Sequence, residues 1–176
     1  MKQPARYSAI QIALHWGVVV LIVVQLLTGG LMADYFRALM RVGEDRPIMG
    51  NAVWHVVSGS LILIFMLTRL ALRLTHGAPP PKADSPGWDK ALSRLNHWLF
   101  YVMLIAMPVV GLAAYLIPSH EMGELHEAAV PVLLVLIALH LAGVAYHQFI
   151  RNDGLVRRMT RAEHGVEQAP PVDPRR

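Results

Sequence analysis

Apolar residues dominate four long stretches of the chain, at residues 11–32, 50–73, 95–117 and 126–150. Each stretch is long enough for a bilayer-spanning helix, which needs roughly 20 mainly apolar residues. The longest connection, residues 75–90, is rich in proline and polar residues that cannot continue a helix. The pattern predicts an all-α membrane protein, a four-transmembrane-helix up-down bundle in one domain over residues 1–161. The polar, proline-rich residues 162–176 predict a disordered tail.

Composition and charge place the bundle in a membrane and orient it. The chain is 55% hydrophobic, with a mean hydropathy of +0.41, which is too apolar for an ordinary soluble domain of 176 residues. Of its 16 Lys and Arg residues, 13 fall on the side of the two termini, and only Arg37, Arg41 and Arg46 fall on the other. The positive-inside rule therefore predicts that both termini are cytoplasmic. The basic residues form no patch with stacking aromatics, so we expect no nucleic-acid partner, and membrane lipid is the expected surroundings.

Histidines are the main candidates for chemistry in the spans. The absence of cysteine excludes disulfides, thiolate metal sites and cysteine nucleophiles. Of the nine histidines, His76, His120 and His164 lie in predicted loops or the tail, whereas four lie deeper in the spans or begin one: His15, His55, His126 and His140. An ionisable residue inside a bilayer is a functional candidate by default, although any single one can be a satisfied bundle residue.

The four deep histidines have matched depths. His126 and His140 are 14 residues apart, so they share a helix face and lie roughly 21 Å apart along the axis. His55 is expected at the depth of His126, in the outer half, and His15 at the depth of His140, in the inner half. Two imidazoles per pair suit the axial positions of a low-spin haem b, which predicts two haem b groups. Zinc usually recruits further ligands, so a histidine-lined metal transporter is a weaker interpretation.

Two further residues share faces with these histidines. Gly29 follows His15 by 14 residues, at the outer depth, where a missing side chain makes room for a porphyrin. Close helix packing is the alternative explanation for this glycine. Arg69 follows His55 by 14 residues, at the inner depth, where a guanidinium can pair with a haem propionate, reach the interface, or do both.

The chain resembles the bacterial cytochrome b561 family of four-helix di-haem membrane cytochromes. The resemblance covers nearly the whole chain, through "YSAIQIALHW", "VWHVVSGSLIL", "LTRLALRL", "LNHWLFYVMLIAMPVVGL", "LHEAAV", "LIALHLAGVAYHQF" and "NDGLVRRM". It implies a multi-pass protein of the bacterial inner membrane with axial ligands on helices 1, 2 and 4. Those positions match the iron-ligand pairs His15/His140 and His55/His126.

The resemblance also implies a quinone-linked oxidoreductase that passes single electrons across the membrane. Quinone as substrate is expected near the cytoplasmic side, where His97 and His147 are the candidate catalytic residues. Some relatives resemble superoxide-oxidising quinone reductases, and an anion-attracting rim of Arg37, Arg41 and Arg46 suggests superoxide as an outer-side donor. A non-catalytic electron-carrier or anchor subunit for a dehydrogenase or hydrogenase is the alternative. The short outer loop and the leucine before His126 depart from the family pattern and affect the cover of the outer haem.

Overall fold

The computed structural model describes residues 6–42, 52–80 and 85–160, and this part of the chain is helical throughout apart from its connections. Four long helices follow one another: α1 at Ala9–Val42, α2 at Ala52–His76, α3 at Gly87–Leu116 and α4 at His120–Ala145. Helix α4 continues into a π-helical turn at Tyr146–Ile150, and a 3₁₀ turn follows at Val156–Met159. Arg46 and the predicted tail of residues 162–176 lie outside the described residues.

All four helices are long and apolar enough to cross a membrane, which confirms the predicted all-α membrane fold. Their ends differ from the hydropathy boundaries. Helix α3 begins at Gly87 rather than at residue 95, because Pro86 precedes its first turn and Asp89 complements the positive end of the helix dipole. Helix α1 continues past residue 32 to Val42 and therefore carries Arg37 and Arg41 on its own extension. Hydropathy marks the apolar run, whereas helices extend into polar sequence as long as backbone geometry allows.

Successive helices pack against each other, α1 on α2, α2 on α3 and α3 on α4. Large apolar side chains on the outside are more than half exposed, as Val20, Leu27, Ile64 and Val102 show, and this is the surface that lipid covers. By contrast, α4 makes little close backbone contact with α1 or α2. The bundle is thus tight along three seams and open between α4 and the first two helices. Its buried core consists of Val18, Ile62, Met66, Tyr101, Leu104 and Leu133.

We call the end of the bundle that carries residues 6–8, 76–80, 85–90 and 146–160 the inner end, and the opposite one the outer end. At the outer end, α3 and α4 are joined by a tight turn in which the Ser119 hydroxyl caps α4 by accepting from the Met122 N–H at 3.4 Å. At the inner end, the chain after α4 folds back over the bundle. The Trp16 indole donates to the Met159 carbonyl at 2.9 Å, and Arg158 donates to the Pro80 carbonyl at 2.9 Å.

Candidate functional site

The four deep histidines meet in two pairs across the bundle. In the inner half, His15 of α1 and His140 of α4 have ring centroids 6.4 Å apart. In the outer half, His55 of α2 and His126 of α4 have ring centroids 6.1 Å apart. Two imidazole–metal bonds of about 2 Å each, with the ring dimensions added, require a separation of roughly 6 Å. Both pairs therefore have the spacing of two axial ligands that share one iron.

The helices that carry each pair are the ones that do not pack closely. His15 and His140 face each other from α1 and α4, and His55 and His126 from α2 and α4, and neither of these helix pairs makes extensive close backbone contact. A flat macrocycle between two imidazoles needs such a separation. At the outer pair, a Cβ on Gly29 would lie 3.8 Å from His55 Cε1, so the glycine lies beside that ligand position as the spacing predicts. The described residues thus fit a haem at each level.

Hydrogen bonds orient both rings of the outer pair. His126 Nδ1–H donates to the Met107 carbonyl at 2.9 Å, since a carbonyl oxygen only accepts. The Thr28 hydroxyl donates to the Val24 carbonyl at 2.7 Å, so its oxygen accepts from His55 Nδ1–H at 3.3 Å. A proton on Nδ1 leaves the Nε2 lone pair available, and a hydrogen bond at the second nitrogen fixes the tautomer and the ring plane of a ligating histidine.

Gly111 lets His126 reach the backbone of α3. A Cβ at this position would lie 2.8 Å from both Cε1 and Nδ1 of the His126 ring. These distances are far inside van der Waals contact, so a side chain here would displace the ring from the Met107 carbonyl. Gly111 and His126 lie at matching distances along the chain from the turn at residues 117–119, which sets them at one depth of the α3–α4 hairpin.

A glutamine crosses the seam between α1 and α2 near the outer pair. Gln25 Nε2 donates to the carbonyl of His55 at 2.7 Å and to the Ser58 hydroxyl at 3.1 Å. The close approach depends on Gly59, because a Cβ there would lie 2.8 Å from Gln25 Nε2. The amide therefore holds the backbone of the helix that presents His55.

A cationic group stands without a carboxylate partner at the inner level. The Nε and Nη1 atoms of Arg69 are buried and have no hydrogen-bond partner among the described residues. Within the described part of the chain, the titratable groups that act on Arg69 are Tyr101, which also hydrogen-bonds to it, Tyr7 and Arg73, and none of them is a carboxylate. Burial raises the pKa of Tyr7, which keeps its phenol a neutral hydroxyl donor. Because a buried unpaired charge is costly, this surrounding fits an anionic group such as a propionate.

The two histidines predicted on the quinone side occupy different settings. His97 Nδ1–H donates to the Ser93 carbonyl at 2.6 Å, and its ring centroid lies 5.6 Å from that of His140. His97 therefore stands directly beside the inner pair. His147 is buried away from it, with one ring nitrogen on Asp89 and the other on Asp153.

Sequence reasoning missed several side chains that support the site. Gln25 carried a signal, because an amide within an otherwise apolar span needs a partner. The contact between Gly111 and His126 also had a sequence signal, since the two residues lie at nearly the same distance from a tight turn and are therefore placed opposite each other. The Asp89 contact was hidden, because the predicted connection at residues 75–90 includes Asp89, whereas α3 begins at Gly87.

The chain is similar to known proteins over almost its whole length. The family model described as prokaryotic cytochrome b561 matches residues 6–162. A protein named cytochrome b562 from Cereibacter sphaeroides is 29% identical over 161 residues, covering 92% of this chain and 99% of the relative. A probable superoxide oxidase CybB from Yersinia pestis is 25% identical, covering 91% of this chain and 98% of that protein. Cytochrome b561 homolog 1 from Escherichia coli is 22% identical, covering 88% and 96%.

Proposed function

The chain belongs to the prokaryotic cytochrome b561 family, and we propose that it carries electrons between an outer-side donor and the membrane quinone pool through two haem b groups. Family membership and the four apolar helices make it a multi-pass bacterial membrane cytochrome of the b type that takes part in electron transfer. The proposal adds the number of haems, the four ligands, the quinone and the direction from outside to inside. It also places the protein in the inner membrane with both termini in the cytoplasm, as the positive-inside rule predicts.

The two histidine pairs support this proposal most directly. Each pair has a centroid spacing of about 6 Å suited to a shared iron, and the two pairs lie at two levels of α4, four helical turns apart. A haem b held by the two imidazoles of a pair would supply one-electron exchange. The residues of the chain would orient the ligands and bind the propionates. Met107 and Thr28 hold the outer rings, and Arg69 offers its free N–H groups to a propionate.

The inner end is where we propose that quinone binds. His97 stands beside His140, and because its Nδ1–H bonds to the Ser93 carbonyl, its Nε2 presents a lone pair to a neighbouring hydroxyl. A quinol hydroxyl is a suitable donor to that atom. The quinone would then lie within electron-transfer reach of the inner pair while its polar edge faces the cytoplasmic surface.

Superoxide is the donor that we propose for the outer side. The relative from Yersinia pestis bears the name probable superoxide oxidase. In this chain, Arg37 and Arg41 are exposed on the outer extension of α1, where positive charge raises the local concentration of a small anion. The Arg37 guanidinium forms an ion pair with the Asp34 carboxylate at 3.0 Å, which offsets its positive charge. Arg41 therefore contributes more to the positive potential of this surface than Arg37 does. Arg46, the third member of the predicted rim, lies outside the described residues.

The haem content of the purified protein tests the proposal. A pyridine haemochrome assay with a protein determination should give two haems per chain, and His126→Ala and His140→Ala should each lose one. His147→Ala should keep both, because both of its ring nitrogens face carboxylates. A colourless wild-type protein ends the proposal, and a haem lost from His147→Ala but kept in His126→Ala would overturn the ligand assignment.

Electron transfer is then measured on the same preparation. Superoxide should reduce the haems, and added quinone should reoxidise them without a second protein. If both steps require a large co-purifying dehydrogenase or hydrogenase, the chain is the electron-carrier subunit of that complex and the proposed enzyme activity is wrong.

A further inference from the structure

Three ionisable side chains are buried together at the inner end, outside the histidine pairs. His147 lies in the π-helical turn after α4, with Nδ1 2.6 Å from Asp153 Oδ2 and Nε2 3.2 Å from Asp89 Oδ1. The side chains of His147 and Asp89 are 11% exposed and that of Asp153 is 6% exposed. We call this group the Asp89–His147–Asp153 cluster. It joins the start of α3 to the segment that follows α4.

The hydrogen bonds require that the cluster holds a proton. An ionised carboxylate only accepts hydrogen bonds, so two carboxylates on the two ring nitrogens require both nitrogens to be protonated. With both carboxylates ionised, these hydrogen bonds make His147 an imidazolium between two anions, and Arg151, whose Nε lies 3.8 Å from Asp153 Oδ2, balances the second negative charge. Tyr146, with its ring centroid 5.5 Å from that of His147, and Lys90, next to Asp89 in α3, are further titratable neighbours on these elements.

The local backbone is irregular at this point. A π-helical turn inserts one residue into the helical repeat, and such turns are frequent at functional sites. It brings His147 against Asp89, and the ring is buried although the neighbouring Gln148 and Phe149 are exposed. A clamp between two helices could be made of apolar side chains with no desolvation cost, so four buried or half-buried ionic groups call for another role.

Two polar residues of α3, one buried and one half-buried, lie between the cluster and the inner histidine pair. Asn96 follows Asp89 by seven residues, which places it about 10 Å further along the axis on nearly the same face. It is only 7% exposed, and its Oδ1 has no hydrogen-bond partner among the residues that the structure describes. His97 comes next and contacts His140. An unpartnered buried amide costs free energy, so a bound molecule with a donor is expected at Asn96.

We propose that the Asp89–His147–Asp153 cluster is the proton donor for quinone reduced at the inner end, and that Asn96 binds the hydroxyl that forms. This inference rests on the proposed quinone reduction. The quinone takes up two electrons, one at a time, and two protons to become a quinol. For each proton, an N–H bond of His147 breaks and an O–H bond forms on the reduced quinone, with Asp89 accepting and passing on the proton. A proton from the inner aqueous side enters at Asp153 and restores the imidazolium.

Haem reoxidation by quinone in reconstituted, dithionite-reduced holoprotein tests this role. His147→Phe should keep two haems and the wild-type spectrum but slow reoxidation by a short-chain ubiquinone analogue about a hundredfold, the lower range for a positioned proton donor. Added imidazole should restore part of the rate. Asp89→Asn keeps the shape and a hydrogen-bond acceptor for His147, so it should leave the fold intact and still alter the pH profile. His76→Phe, an exposed histidine at the same end of the bundle, is the matched control.

The outcomes separate this inference from the proposed function. If quinone does not reoxidise the wild-type haems, quinone reduction itself is wrong. If wild type is reoxidised and His147→Phe matches it, the cluster is not the proton donor. A third outcome would also overturn the inference: His147→Phe is slow, added imidazole does not restore its rate, and Asp89→Asn has the wild-type pH profile. The cluster would then be a structural clamp. Should His147→Phe fail to fold with haem, the pH profile and solvent deuterium isotope effect of Asp89→Asn decide.

Discussion

Replacing Gly111 by alanine should damage the outer haem site selectively. The new Cβ would lie 2.8 Å from Cε1 and Nδ1 of His126, whereas carbon atoms pack at about 3.5–4.0 Å. The ring must therefore retreat by roughly 0.7 Å or more. That retreat stretches the 2.9 Å bond from His126 Nδ1–H to the Met107 carbonyl beyond hydrogen-bonding range. The ligand loses the contact that fixes its tautomer and plane.

The cost is the sum of three effects of known size. Overpacking costs about 1–3 kcal/mol, and the lost hydrogen bond costs about 1 kcal/mol. Alanine offsets roughly 0.5–1 kcal/mol of this, because glycine disfavours a helix interior. The net loss of about 2 kcal/mol corresponds to roughly 30-fold weaker binding of the outer haem. The inner haem should be unaffected, because His15 and His140 do not contact Gly111.

Haem titration into the apoprotein measures this loss, with the two sites distinguished by His126→Ala and His140→Ala as references. Gly143→Ala is the matched control, because a Cβ at this helical glycine meets nothing within 4 Å. It should bind both haems normally. If Gly111→Ala binds two haems with wild-type affinities, the backbone of α3 does not orient His126, and the account of the outer site given above is wrong.

Two further substitutions test a residue near the inner histidine pair and a residue near the outer pair. Arg69→Gln should weaken the inner haem roughly 10- to 100-fold, since a charge-assisted hydrogen bond is worth about 1.5–3 kcal/mol, whereas Arg69→Lys should retain much of the affinity in the same titration. Equal affinities in all three proteins would exclude a propionate at Arg69. Gln25→Leu removes the bonds to the His55 carbonyl and the Ser58 hydroxyl and should destabilise the protein by about 1 kcal/mol. Unfolding in detergent measures this effect, and a more stable variant would contradict it.

The local sequence was sufficient for the architecture of this protein. Four apolar runs of bilayer length predict four helices, because hydrocarbon leaves the backbone no other way to satisfy its polar groups along a single chain. The pairing of the deep histidines also followed from spacing alone. Fourteen residues are close to four helical turns, so His126 and His140 share a face in any α-helix that contains both. The structure places His15 and His55 at the corresponding levels opposite them.

The residues that orient the histidine rings could be predicted only in part. Nearly equal distances from a tight turn bring Gly111 opposite His126 and His97 opposite His140, and both relations can be read from the sequence once the turn is known. The contact from Thr28 to His55 has no such signal, because it joins two helices whose rotation about their axes depends on packing. Hydropathy likewise began the third span too late, at residue 95, to show that Asp89 lies inside a helix that starts at Gly87.

The sequence by itself determined the depth of each residue, because rise per residue is a property of the helix alone. Tertiary structure decided which groups meet at each depth. Only the π-helical turn brings His147 against Asp89, and only the packing of α2 beside α3 leaves Arg69 next to Tyr101, with no carboxylate among the described groups that act on it. The physical reason is that depth follows from a local repeat, whereas partnership depends on helix rotation and irregular turns, which the side chains of neighbouring helices fix together.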